Sequence, residues 1–155
     1  MVLIKAYTLM QKYAYFVFDF CNELLYLSNM NEFELESAHI SLDEERVLFI
    51  KFKDGADVDI EETKKIMSYS ADMIDEKPFY VLIDARDMFV NVDHESRKYM
   101  AEHEVNKFNM AQAMVVNRMP VRILANFYLK FYKHKYPMKV FKDLVAAREW
   151  LFRQV

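Results

Sequence analysis

Apolar and polar residues start to alternate at Phe33-Glu34-Leu35-Glu36, and Ile40 and Leu42 carry the pattern on to an acidic stretch, Asp43-Glu44-Glu45. Val47-Leu48-Phe49-Ile50-Lys51-Phe52 follows and ends at Asp54-Gly55. A period of two marks half-buried strands, so the spacing predicts two strands joined by a tight acidic turn. The period changes after Asp59. Ile60, Thr63, Ile66, Met67, Ser70, Met73 and Ile74 recur at helical spacing to about Asp75, and Asp59 with Glu62 has the order of a capping box, in which Glu62 reaches back to the cap.

Pro78 opens the next element, and Phe79-Tyr80-Val81-Leu82-Ile83 is an unbroken apolar run ending at Asp84. A run of that length without alternation predicts a central strand covered on both faces. After the apolar loop Met88-Phe89-Val90-Asn91-Val92, Asp93 caps a helix expected to reach Phe108, with Ala101, Val105 and Phe108 along one side. Ala113-Met114-Val115-Val116 reads as another buried strand. A helix from near Pro120 carries Val121, Leu124, Phe127, Tyr128, Phe131 and Tyr132 on one face and Arg122, Asn126, Lys130 and Lys133 on the other. Pro137 stops it, Met138 to Phe141 forms a short strand, and Asp143 caps a last helix with Leu144, Ala147, Trp150 and Leu151. The order is ββαβαβαβα: an α/β (α+β-like) fold with a central mixed sheet and helices packed on it. Sites in such sheets gather at the carboxyl ends of strands, which places interest on the stretch from Asp84 to Ser96.

Composition narrows the function classes. With 155 residues, 54% of them hydrophobic, the chain builds a core without disulfides or a structural metal. Its single glycine, Gly55, excludes the glycine-rich loops that cradle phosphates, because those need several positions where backbone approaches phosphate without a Cβ. The single cysteine, Cys21, can form neither an internal disulfide nor a cysteine-based zinc site, which fits a cytoplasmic location. Residues 1–29 are aromatic and apolar but broken by Lys12, Asp19, Asn22 and Glu23, so they suit neither a spanning helix nor a secretory signal. Two readings of this extension stay open: an amphipathic helix packing on the domain or a membrane surface, or upstream sequence before a start at Met30. The single domain is expected over residues 30–155.

Charge is unevenly placed. From Met30 to Glu104 there are 20 Asp and Glu against 9 Lys and Arg, a balance of −11, whereas Val105 to Lys142 holds 8 Lys and Arg and no acid, a balance of +8. Such asymmetry steers a charged partner or pairs two copies, and is too small to imply nucleic-acid binding.

Asp84, Asp87, Asp93, His94 and Glu95 have the ligand chemistry of a hard-cation or acid–base site, but the spacing argues against one. His94 and His103 are nine residues apart, about 900° around a helix, and so face opposite sides. His103-Glu104 also lacks the second histidine of a zincin helix. There is no nucleophile beside an evident base, so neither a metal nor a cofactor is expected, and a metal-assisted hydrolase ranks last among the readings.

The strand ending in Asp84, the apolar loop and the helix opening on Asp93 resemble the STAS domains typified by bacterial anti-sigma factor antagonists. Ile83-Asp84-Ala85-Arg86, Ala113-Met114-Val115-Val116, Ala125-Asn126-Phe127, and Val140-Phe141 with Ala147-Arg148-Glu149-Trp150-Leu151 are similar to a group of short bacterial STAS/SEC14-like proteins without assigned function. The similarity spans Asn31 to Gln154, and its motifs are packing signatures. In the antagonists the corresponding helix opens with Asp-Ser-Ser-Gly and a serine there is phosphorylated to switch partner binding. This chain has Asp93-His94-Glu95-Ser96, which puts Glu95 at the modified position and leaves Ser96 as the nearest hydroxyl. A carboxylate carries about one charge where phosphate carries nearly two, so Glu95 imitates a modified state only in part.

The resemblance implies a non-enzymatic regulatory module that binds a protein partner through an edge made of Asp84, Arg86, Asp87, Asp93, His94, Glu95 and Ser96. The alternative is a module for an apolar ligand, a lipid or a membrane surface. There the aromatic stripe and the 11 methionines would line a cavity, and Arg122, Asn126, Lys130 and Lys133 would form an anionic-ligand face. The apolar extension also leaves a homodimer open.

Overall fold

A computed structural model describes residues 31–86, 89–131 and 135–154. Chain order is β1 (Glu32–Glu34), β2 (Ala38–Leu42), β3 (Val47–Phe52), β4 (Asp57–Val58), α1 (Ile60–Ile74), β5 (Phe79–Asp84), β6 (Asn91–Val92), α2 (His94–Glu102), a 3-10 helix (Glu104–Phe108), β7 (Asn109–Val115), α3 (Met119–Phe131), β8 (Met138–Phe141) and α4 (Leu144–Leu151). Six strands form one sheet in the order β1-β2-β3-β5-β7-β8, antiparallel from β1 to β3 and parallel from β3 to β8, while β4 and β6 pair in a separate short ribbon. This is the expected mixed sheet with helices on it.

The apolar run of β5 lies between β3 and β7, and the two faces of the sheet explain why it does not alternate. Phe79 and Val81 join Ile66, Met67, Met73 and Ile74 of α1, together with Ile40, Leu48 and Val105. Tyr80 and Leu82 join Val47, Ala111, Ala113 and Val115 under Ala147 and Leu151 of α4. Small residues at Ala111, Ala113 and Ala147, all fully buried, let that short helix sit close to the sheet. α3 packs beside β8.

Three aspartates cap as their positions predict. Asp59 accepts from the Glu62 amide (2.9 Å), Asp93 from Ser96 (2.6 Å) and Asp143 from Ala146 (2.9 Å). The far end of α1 is closed by a residue of the turn between β2 and β3: Arg46 donates to the carbonyls of Ile74 (2.5 Å), Lys77 (3.3 Å) and Pro78 (3.2 Å). A cation there also meets the negative end of the helix dipole.

Several expectations need correction. The stretch from Phe33 to Leu42 is two strands, because Leu35 donates to the Ala38 carbonyl (2.8 Å) and closes a turn. Glu62 does not reach back to the cap; it is buried and accepts from the Ser37 hydroxyl (2.8 Å) and Lys65 (2.7 Å). The helix opened by Asp93 stops at Glu102, where His103 takes an extended conformation (ψ 139°) and a 3-10 turn follows, leaving Ala101 exposed. The strand expected at 113–116 begins earlier, at Asn109. On α3, Val121 is exposed rather than buried. The side chains of Leu124, Phe127, Tyr128 and Phe131, all of Tyr132, and the extension 1–29 lie outside the described residues, as do the readings placed on them.

Candidate functional site

The carboxyl end of β5 carries the expected edge, but most of its acids already serve the fold. Asp84 is 2% exposed and forms a two-pronged pair with Arg86, whose Nε and Nη2 each donate to one carboxylate oxygen at 2.9 Å. The Arg86 amide adds a third hydrogen bond at 3.2 Å. The Arg86 guanidinium holds the Asp84 carboxyl below the usual carboxylate range, against the opposing effect of burial. Asp93 is likewise held low, chiefly by the Ser96 amide it caps. Ser96 is fully buried, so a modifying enzyme would reach its hydroxyl only after the helix start opened. His94 and Glu95 are exposed on the first turn of α2; Asp87 lies outside the described residues.

The residue sequence reasoning missed is Phe89. The residue is 70% exposed, yet its backbone is held on both sides. The Phe89 amide donates to Asp54 Oδ1 (2.9 Å), and its carbonyl accepts from the Gly55 amide (2.9 Å). Just beyond, Asn91 donates to the Ala56 carbonyl (3.0 Å) and through its side chain to Asp57 (2.8 Å), and β6 pairs with β4. The loop is therefore a stitched strap whose Val90 and Val92 pack into the core while Phe89 points out. Over its ring lies the Arg118 guanidinium, 4.1 Å from the centroid. The available signal was the phase of the run: Val90 and Val92 share one side, and Phe89 falls on the other.

Gly55 makes the strap's turn at φ 75°, a conformation that costs an L side chain about 1 kcal/mol even where space is open, as it is here. Gly55→Ala is expected to lower stability by about that much, with Gly55→Asn milder because Asn visits this region more readily. Hydrogen exchange at the Asn91 amide should accelerate in the alanine variant; an unchanged rate would show that the turn does not hold the strap.

Arg118 leads into α3, whose first turns present Met119 and Ile123 at 57% and 64% exposure. Arg122 Nη2 lies 2.6 Å from the Met119 sulfur, and Asn126 is exposed one turn on. Of the expected anionic-ligand face, Arg122 and Asn126 do share a side of α3; the Lys130 side chain and all of Lys133 lie outside the described residues. Among the described residues no three His, Cys, Asp or Glu side chains converge as metal ligands, and no helix is long and apolar enough to cross a membrane.

No curated protein matches the chain. Among solved structures it is similar to the crystal structure of an uncharacterised protein of the DUF3478 family from Shewanella loihica PV-4, which has a SpoIIAA-like fold: TM-score 0.60, 15% identity, 77% of this chain and 97% of that one covered. At that identity the match shows the fold, which is STAS-like, as the order of elements implied. A family model described as a domain of unknown function matches residues 40–154, and the chain thus belongs to the DUF7793 family.

Proposed function

We propose that this protein is a non-catalytic STAS-like module that binds a protein partner at the carboxyl edge of β5, and that Phe89, rather than the acids beside it, is the centre of the recognition surface. The observation that carries this reading is an aromatic residue 70% exposed on a backbone fixed by hydrogen bonds at both its amide and its carbonyl. A ring held ready in this way loses little freedom on docking and offers a large apolar area, the properties of an interface anchor. Asp84 is buried and neutralised by Arg86, so it shapes the edge without offering free charge; Asp93, exposed beyond the Ser96 amide it caps, remains with His94 and Glu95 to tune specificity at its rim.

Crosslinking capture in cells that naturally express the protein tests this. Phe89→Ala is expected to lose partners retained by the wild type, by about tenfold or more. A control, Val145→Ser, alters a residue 69% exposed on α4 and should keep them. Identical partner sets for Phe89→Ala and the wild type would overturn the proposal.

A further inference from the structure

We infer that the partner segment docking at Phe89 is an acidic, amphipathic peptide that lies along the start of α3, with its apolar side chains on Phe89, Met119 and Ile123 and its carboxylates on Arg122. This deepens the partner-binding reading above and rests on it.

Three observations converge on that chemistry. Met119 and Ile123 are four residues apart and Arg122 is three from Met119, so all three share one face of the helix. Two large apolar side chains more than half exposed on one helical turn are unusual for an unpartnered surface, and Arg118 links them to Phe89 by stacking on its ring at 4.1 Å. The segment from Val105 to Lys142 contains eight cations and no acid, so nothing on this helix repels a carboxylate. Arginine pairs carboxylates with two donors and keeps an apolar face for stacking, which suits mixed recognition of acid and hydrocarbon.

A flat anionic bilayer fits the same cations less well. Asp54 accepts from the Phe89 amide, Asp57 accepts from the Asn91 side chain, and Asp93 and Glu95 open the neighbouring helix. A surface wide enough to cover Phe89 and α3 together would meet all of those acids, whereas a single peptide along α3 meets only Asp54, beside Phe89, where it lays apolar side chains and not carboxylates.

The test is selection from a displayed library of random peptides of about 12 residues on the purified full chain. Enriched peptides are expected to combine Asp or Glu with large apolar residues and to bind Arg122→Glu and Phe89→Ala about tenfold more weakly, with melting temperatures of both variants unchanged because both positions are at the surface. No enrichment, enrichment without acids, or equal binding by Arg122→Glu would overturn the inference. So would tighter binding to vesicles containing phosphatidylglycerol, which would make a membrane the occupant, or self-association in sedimentation abolished by Arg122→Glu, which would make it a second copy. If cellular capture is lost in Phe89→Ala but kept in Arg122→Glu, partner binding stands and the acidic preference falls; if Phe89→Ala keeps its partners, both fall.

Discussion

Phe79→Ala is expected to destabilise the protein by about 3–5 kcal/mol, a large share of what a domain of this size possesses. Phe79 is 1% exposed and is the largest of the fully buried side chains. It opens β5, where strand alternation turns Phe79 and Tyr80 to opposite faces of the sheet and so to different layers. Phe79 joins the cluster beneath α1, and Tyr80 packs edge-on against Phe152 on the side of α4, with ring centroids 5.7 Å apart. Truncation removes the transfer free energy of the ring and leaves a cavity between sheet and helix that neighbours anchored in β-strands cannot readily fill. Phe79→Leu keeps most of the volume and is expected to cost about 1–2 kcal/mol. Urea denaturation followed by circular dichroism should show the midpoint falling with little change in slope. A loss below about 1 kcal/mol for Phe79→Ala would mean that β5 is not the shared centre of the two cores.

The fold was legible where burial imposes a period and obscure where the period shifts without changing residue type. β5 could be placed because a strand covered on both faces has no polar side to show. The break between β1 and β2 was also written in the chain. Phe33 and Leu35 are odd-numbered, whereas Ala38, Ile40 and Leu42 are even, so no single strand keeps all five on one face. Reading the residues as one alternation overlooked that change of phase. The end of α2 is harder to see: Val105 and Phe108 continue a helical spacing, but a buried Asn106 side chain donates to the Met100 and Ala101 carbonyls at 2.6 and 3.2 Å and helps end the helix. Glu62 illustrates a further limit. Its position fits a capping box, yet Ser37, 25 residues earlier, takes the carboxylate, a tertiary contact that local sequence does not encode.

The candidate site divides in the same way. Caps such as Asp93 follow from position, and the pairing of Asp84 with Arg86 follows from two residues alternating out of one strand end. Phe89 was hidden by its type, since an apolar residue in an apolar loop reads as core. Its exposure follows from the β4–β6 ribbon, which turns Val90 and Val92 inward and leaves the intervening faces outward.

Arg86→Met is expected to cost about 2–3 kcal/mol and to do so through Asp84. Breaking a buried ion pair costs about 3–5 kcal/mol because the remaining charge is stranded. Here the Arg86 side chain is 35% exposed, so water screens part of the loss and the lower figure applies. The double variant Asp84→Asn with Arg86→Met removes the stranded charge and should recover part of the stability lost in Arg86→Met alone, which a purely steric role for Arg86 would not produce. The pH dependence has a definite sign. Because Arg86 depresses the folded-state pKa of Asp84, the pair's contribution is fully present above the unfolded value of about 3.9 and is lost as pH falls through the lower folded value. In Arg86→Met burial acts on Asp84 without the opposing guanidinium and raises its pKa, so the difference in stability between wild type and Arg86→Met should be largest near neutral pH, begin to shrink as the stranded Asp84 takes up a proton above its unfolded value, and go on shrinking in stronger acid. A difference that instead grew on acidification would show that Asp84 does not owe its charge to Arg86. Since β5 ends at this pair and Arg86 lies three residues before Phe89 in the chain, loosening it should also weaken partner capture, by less than Phe89→Ala does.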